Sequence, residues 1–152
     1  RMADYYMSYS AEIKGLTEEE SKWAHSRIKE INDAGDEDAV CDLGEVEVVD
    51  GVLWFHGQES GDPEAVAEFA RDFLKRFRPR DSFALEYAYT CSRPRLDGFG
   101  GGAVLVTAEG IECVETAAWV AERRREHEIR RGGADAKRAS RQHTPGSEGR
   151  TE

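Results

Sequence analysis

The chain has 152 residues, with 31 Asp or Glu against 21 Lys or Arg and a formal net charge of −10. This length suits one domain, and no apolar run approaches the roughly 20 residues that a membrane-spanning helix needs, which excludes an integral membrane protein of that kind. The negative excess also argues against a surface that binds nucleic acid throughout, because phosphate contacts depend on Lys and Arg.

From Tyr5 to Ile13 the odd positions Tyr5, Met7, Tyr9, Ala11 and Ile13 are apolar or aromatic and alternate with Ser8, Ser10 and Glu12. Period two predicts a strand with one buried face. Thr17 with Glu20 three residues later forms a capping box, in which Thr17 accepts from an early backbone N–H and Glu20 reaches back. The helix that follows is expected to run to about Asn32 and to bury Trp23, Ala24, Ile28 and Ile31. Asp50-Gly51 between Val46-Glu47-Val48 and Val52 to His56 predicts a hairpin with a two-residue turn. That pairing puts Val46, Val48, Leu53 and Phe55 on one face and Glu47, Val49, Val52 and Trp54 on the other.

Asp62-Pro63-Glu64 reads as N-cap, first helical residue and acidic first turn. Val66, Phe69, Ala70, Phe73, Leu74 and Phe77 then follow helical spacing up to Pro79. Phe83, Leu85, Tyr87, Tyr89 and Cys91 mark a further strand. A loop over Ser92 to Gly102 precedes a second hairpin, Ala103 to Thr107 with Ile111 to Glu115, and a final helix from Thr116 to about Arg131. From Gly132 the chain is polar and glycine-rich, which predicts a disordered tail over 132–152 behind a single α+β domain over 1–131. The first six elements match a ferredoxin-like split βαβ arrangement (βαββαβ), an antiparallel sheet with helices on one face, extended by a C-terminal hairpin and helix.

The charge is unevenly spread. Residues 1–62 hold 16 acidic and 5 basic residues, residues 63–131 hold 12 of each, and residues 132–152 hold 3 acidic and 4 basic. The acidic half is densest around Asp33, Asp36, Glu37, Asp38 and Asp42, while Arg71 to Arg80 and Arg123 to Arg131 form basic counterparts. Such asymmetry steers encounters with charged partners. Asp33, Asp36, Glu37, Asp38 and Asp42 are therefore the expected contacts for a basic protein surface.

No constellation marks an enzyme. His25, His56, His127 and His143 are dispersed, and no C-x-x-C or H-x-x-x-H pair offers local metal ligands, so neither a metal nor a cofactor is expected. The acidic run departs from the register of an EF-hand loop, and no G-x-S-x-G elbow is present. Cys41, Cys91 and Cys113, an odd count without paired spacing, fit a reducing compartment. With no secretory signal after Met2, which Arg1 precedes, the expected localisation is cytoplasmic.

Two alternatives follow from the loops and the sheet. Gly98, Gly100 and Gly101, with Arg93 and Arg95 upstream, form a glycine loop able to offer backbone N–H groups to a nucleotide or another small anion, although it feeds a strand rather than a helix. Tyr6 and Trp54 on an open sheet suggest base stacking by an RNA-binding module, although Glu12 and Glu47 share their face. If the extra hairpin or the last helix covers that face, Trp54 and Trp119 become residues of a second core. If nothing covers it, Val49, Val52 and Trp54 favour homo-oligomerisation.

The opening Ala3-Asp4-Tyr5-Tyr6-Met7-Ser8-Tyr9-Ser10, with Leu16-Thr17-Glu18-Glu19-Glu20-Ser21-Lys22-Trp23, resembles small proteins of phages, mobile elements and bacterial genomes. The resemblance covers about the first 25 residues and carries no catalytic motif. It implies an anti-CRISPR or other anti-defence inhibitor, in which carboxylates stand where a nucleic-acid-binding complex expects phosphates. The combined expectation is a non-enzymatic acidic interaction module.

Overall fold

Asp50 and Gly51 both take positive φ, 50° and 72°, as a two-residue hairpin turn matched to the twist of its strands requires. The turn sets the register of β2 (Glu45–Val49) against β3 (Val52–Gly57), pairing Val46 with Phe55 and Val48 with Leu53. A computed structural model describes residues 4–35 and 42–142 of the chain. Around this hairpin it shows β1 (Tyr5–Ile13), α1 (Glu18–Asp33), α2 (Pro63–Phe77), β4 (Ser82–Cys91), β5 (Gly100–Thr107), β6 (Ile111–Glu115) and α3 (Thr116–Arg141). The architecture is α+β, with six strands in the order β2-β3-β1-β4-β5-β6, every neighbouring pair antiparallel.

The period-two pattern decides which face is dry. Tyr9, Ile13, Leu53, Phe55, Phe83, Leu85, Val104 and Val106 are buried on one side of the sheet and form one core with Val66, Phe69, Phe73 and Leu74 of α2 and Ala24 of α1. Aromatic edges lock the helices together: Trp23 of α1 meets Phe69, Phe73 and Phe77 of α2 with ring centroids 5.4, 5.9 and 5.8 Å apart. The edge-to-face pairs among them, Trp23 with Phe69 and with Phe77, add about 0.5–1.5 kcal/mol each to the area they bury.

The caps form as the sequence predicts, with one difference. Asp62 Oδ1 accepts from Glu64 N at 2.9 Å, ahead of Pro63 at the start of α2. Thr17 Oγ1 accepts from Glu20 N at 3.2 Å, but Glu20 does not reach back. Its carboxylate is buried and bonds Arg78, at 2.7 Å to Nη2 and 3.1 Å to Nε. Two charged N–H donors of one guanidinium converging on Glu20 Oε2 outcompete a single backbone N–H at a helix end.

The chain divides into two compact units at Thr116/Ala117. The first carries the sheet, α1 and α2. The second carries α3, which buries no residue and runs to Arg141. The helix thus runs past its expected end near Arg131, and residues 132–141, expected to be disordered, are helical. Ala134, Ala136, Lys137, Arg138 and Ala139 are strong helix formers, and they carry the helix past Gly132 and Gly133. Residues 143–152 lie outside the described residues.

Candidate functional site: the open face of the sheet

Both helices pack on one face, so the even positions of β1 and their cross-strand partners point away from the core. The register brings Glu12 beside Trp54 and Ser10 beside His56, then Trp54 beside Glu47 and His56 beside Glu45. On the other half of the sheet, Glu86 pairs with Ala103 and Ala84 with Leu105, while Ala103 pairs with Val114 and Leu105 with Glu112. The outward surface thus carries five carboxylates, Glu12, Glu45, Glu47, Glu86 and Glu112. It also exposes Val49, Trp54, Leu105 and Val114, by 58, 39, 42 and 52%. Among the described residues, no strand contains a Lys or an Arg. The nearest base in sequence, Lys14, follows β1 and pairs with Glu12 at 2.9 Å.

One cluster on this face is pre-ordered. The Trp54 and His56 rings stack with centroids 3.8 Å apart, and Trp54 Nε1 donates to Ser10 Oγ at 2.8 Å. The imidazole lies between two carboxylates, with Nδ1 3.3 Å from Glu45 Oε2 and Nε2 3.4 Å from Glu47 Oε2. Ser10, Glu45, Trp54 and His56, together with Ser8, Asp42 and Glu59, line a concavity of about 1020 Å³. A second concavity of about 470 Å³ runs over Ala84, Glu86, Ala103, Leu105, Glu112 and Val114.

Tyr9 anchors the inner wall of the larger concavity. It is 6% exposed, and its hydroxyl donates to the Leu43 carbonyl oxygen at 2.9 Å. Burial, with the carboxylates of Asp42 and Asp62 adding to it, pushes the phenol up to about 12. The folded state therefore holds this proton more tightly than the unfolded chain, whose tyrosines titrate near pH 10. The resulting stabilisation is complete below about pH 10 and is lost as pH rises through about 12, a change of roughly 2–3 kcal/mol. Denaturant midpoints across that window are expected to fall more steeply for the native chain than for Tyr9→Phe. At neutral pH the same variant is expected to be about 1 kcal/mol weaker, through loss of the hydrogen bond.

The residues singled out in the sequence are dispersed. Asp33 ends α1 at the surface, while Asp36, Glu37 and Asp38 lie outside the described residues. Asp42 Oδ1 accepts from Gly44 N at 2.8 Å and the Asp42 carbonyl accepts from Asp62 N at 2.7 Å, a local turn joined to the start of α2. Of the glycine loop, Arg93 and Arg95 are exposed and Gly98 packs against Cys91. Gly100 and Gly101 are not in the loop: β5 begins at Gly100, three residues before the expected start, and pairs them with Tyr89 and Ala88. Gly101 N donates to Thr116 Oγ1 at 3.1 Å. Strand propensity failed here because the sheet wants these glycines for the absence of a side chain: a Cβ at Gly101 would strike the Tyr87 backbone carbonyl.

The pairing suggested for base stacking is also separated. Tyr6 pairs with Thr90, whereas Trp54 pairs with Glu12, and six residues along β1 span about 20 Å. Nor are Trp54 and Trp119 members of a second core, since they are 39 and 53% exposed. The extra hairpin joins the sheet as β5 and β6 instead of lying across it. The outward carboxylates are what the sequence reading missed as a set. Glu45 and Glu47 alternate visibly in β2, but Glu86 and Glu112 join them only through strand order.

Among the described residues no three His, Cys, Asp or Glu side chains converge as metal ligands, and no helix is long and apolar enough to cross a membrane. No protein-family model, no curated protein and no solved structure matches the chain.

Proposed function

We propose that the chain is a non-enzymatic interaction module that docks the open face of its sheet onto a basic protein surface. The supporting observation is the composition of that face: five carboxylates interleaved with exposed Val49, Trp54, Leu105 and Val114, and no Lys or Arg in any of the six described strands. Apolar area supplies affinity, and a single sign of charge selects the partner and speeds the encounter. Asp42, which lines the same concavity, adds to the negative field. This reading treats the first six elements as a split βαβ unit, supported by α1 and α2 packing on one side and leaving the other free. It places the protein in the cytoplasm, supported by the free thiols of Cys91 and Cys113.

The finer form of the reading is an inhibitor of nucleic-acid-binding defence machinery, in which the strand carboxylates occupy phosphate positions. The test is capture from the native host's lysate on the immobilised chain, compared with Glu45→Gln/Glu47→Gln/Glu86→Gln, with partners identified by mass spectrometry. The native chain is expected to retain a basic partner that elutes with salt and that the triple variant loses. The same partner set on both baits would refute the docking face. Displacement of the captured partner by added nucleic acid supports the finer form, and indifference to it removes that form alone.

A further inference from the structure

On the helix side of the sheet, past the end of the aromatic core, a groove of about 470 Å³ opens between the first turns of α2 and the β4-β5-β6 end of the sheet. Its floor holds Met7, Val104 and Ile111 with the rings of Tyr87 and Tyr89. Glu64 and Glu68 stand on the α2 wall, and Glu115 stands on β6 opposite. Residues four apart share a helix face, so the two α2 carboxylates are neighbours. Among the described residues no Lys or Arg lines the groove.

The tyrosine floor is built by glycine. Tyr87 pairs with Gly102 and Tyr89 with Gly100 across β4 and β5, and each phenol ring lies over its partner. A Cβ at Gly102 would come within 2.8 Å of Tyr87 Cζ, and one at Gly100 within 3.0 Å of Tyr89 Cε1. Aromatic rings that cover strand glycines compensate for the missing side chain, and here they also roof the β-strand backbone with flat, electron-rich surface. Tyr87 Oη lies 3.5 Å from Glu115 Oε1. Burial and the charge of Glu115 hold the phenol above its ordinary range, so it stays a neutral donor.

Three features select the ligand. The volume suits a small molecule rather than a bare ion. The carboxylates stand on opposite walls and do not converge as metal ligands. Between them lie hydrocarbon and aromatic faces, which attract ammonium groups and methylene chains alike. We infer that this groove binds a linear aliphatic polyamine, with one ammonium at Glu64 and Glu68, another at Glu115, and the methylene chain over Tyr87 and Tyr89. The site is independent of the proposed docking face, which lies on the other side of the sheet.

Cys113 lines the groove and its thiol is free and exposed, so it reports occupancy. The experiment measures spermidine binding by titration calorimetry, and the alkylation rate of Cys113 by peptide mass spectrometry. The native chain is compared with Glu68→Gln/Glu115→Gln and with Asp81→Asn/Glu109→Gln, which removes the same charge outside the groove. Saturable one-to-one binding is expected, with slowed Cys113 alkylation, at least a tenfold loss in the groove pair and native behaviour in the control pair. Equal loss in both pairs would reduce the effect to general attraction to an acidic body and overturn the inference. So would an absence of saturation, equal protection of Cys113 by magnesium at matched ionic strength, or tighter binding of a trilysine peptide than of spermidine.

Discussion

Replacing Arg78 with Ala is expected to cost about 3–5 kcal/mol, because it strands a buried carboxylate without its partner. Glu20 is 7% exposed, and Arg78 gives it two hydrogen bonds, at 2.7 and 3.1 Å. The same guanidinium donates to the carbonyl oxygens of Lys14 and Gly15 at 3.0 and 2.9 Å. One side chain beyond the end of α2 thus ties down both the turn after β1 and the first turn of α1. Against a total stability of about 5–15 kcal/mol for a domain of this kind, that loss is a large fraction. The double variant Glu20→Leu/Arg78→Met is expected to recover much of it, since apolar residues of similar volume need no charged partner. Recovery should stop short of native, because the Lys14 and Gly15 carbonyls lose their donor. Urea unfolding of the three variants measures the cycle, and a double variant no more stable than Arg78→Ala would contradict the account.

Phe73→Ala is expected to cost a similar 3–5 kcal/mol, by a different route. Its side chain is wholly buried, with ring centroids 5.9 Å from Trp23 and 5.3 Å from Phe77. Truncation removes transfer free energy and leaves a cavity in the seam between α1 and α2, where neighbouring rings are too stiff to collapse into it. The Arg78 guanidinium sits 5.5 Å from the centre of the same ring. Phe73 and Arg78 are therefore in contact, and the costs of Phe73→Ala and Arg78→Ala should fail to add by about 0.5 kcal/mol or more. Strict additivity in denaturant midpoints would show the two contacts to be separate.

The acidic loop and the sheet face are separable in the same way. If the Asp33 to Asp42 segment alone captures the partner, Asn and Gln substitutions there abolish binding while the Glu45, Glu47 and Glu86 triple variant binds as the native chain does. Asp42 is the weaker contact, because its carboxylate already accepts from Gly44 N. The proposed sheet face predicts the reverse order of effects.

Local chemistry was legible in the sequence wherever a few neighbouring residues suffice. Period-two alternation put Phe55, Phe83 and Leu85 inside, Asp50-Gly51 fixed the β2–β3 register, and Asp62-Pro63 opened α2, because each signal acts within one strand, turn or helix end. What lay beyond that reach came from the tertiary structure. Glu20 turned from a cap to an ion pair because Arg78, 58 residues away, offers a stronger, charge-assisted partner. Gly100 to Gly102 looked like a loop because glycine is a poor strand former, yet Tyr87 and Tyr89 across the ladder need that empty space. The carboxylates of Glu12, Glu45, Glu47, Glu86 and Glu112 come from four strands, β1, β2, β4 and β6, and they share one face only because the strand order sets those strands side by side and β5 and β6 extend the sheet instead of covering it. A charge count of −10 is a property of the sequence. The gathering of five carboxylates on a face without Lys or Arg is a property of strand order, since only the hydrogen-bonded sheet decides which distant strands become neighbours.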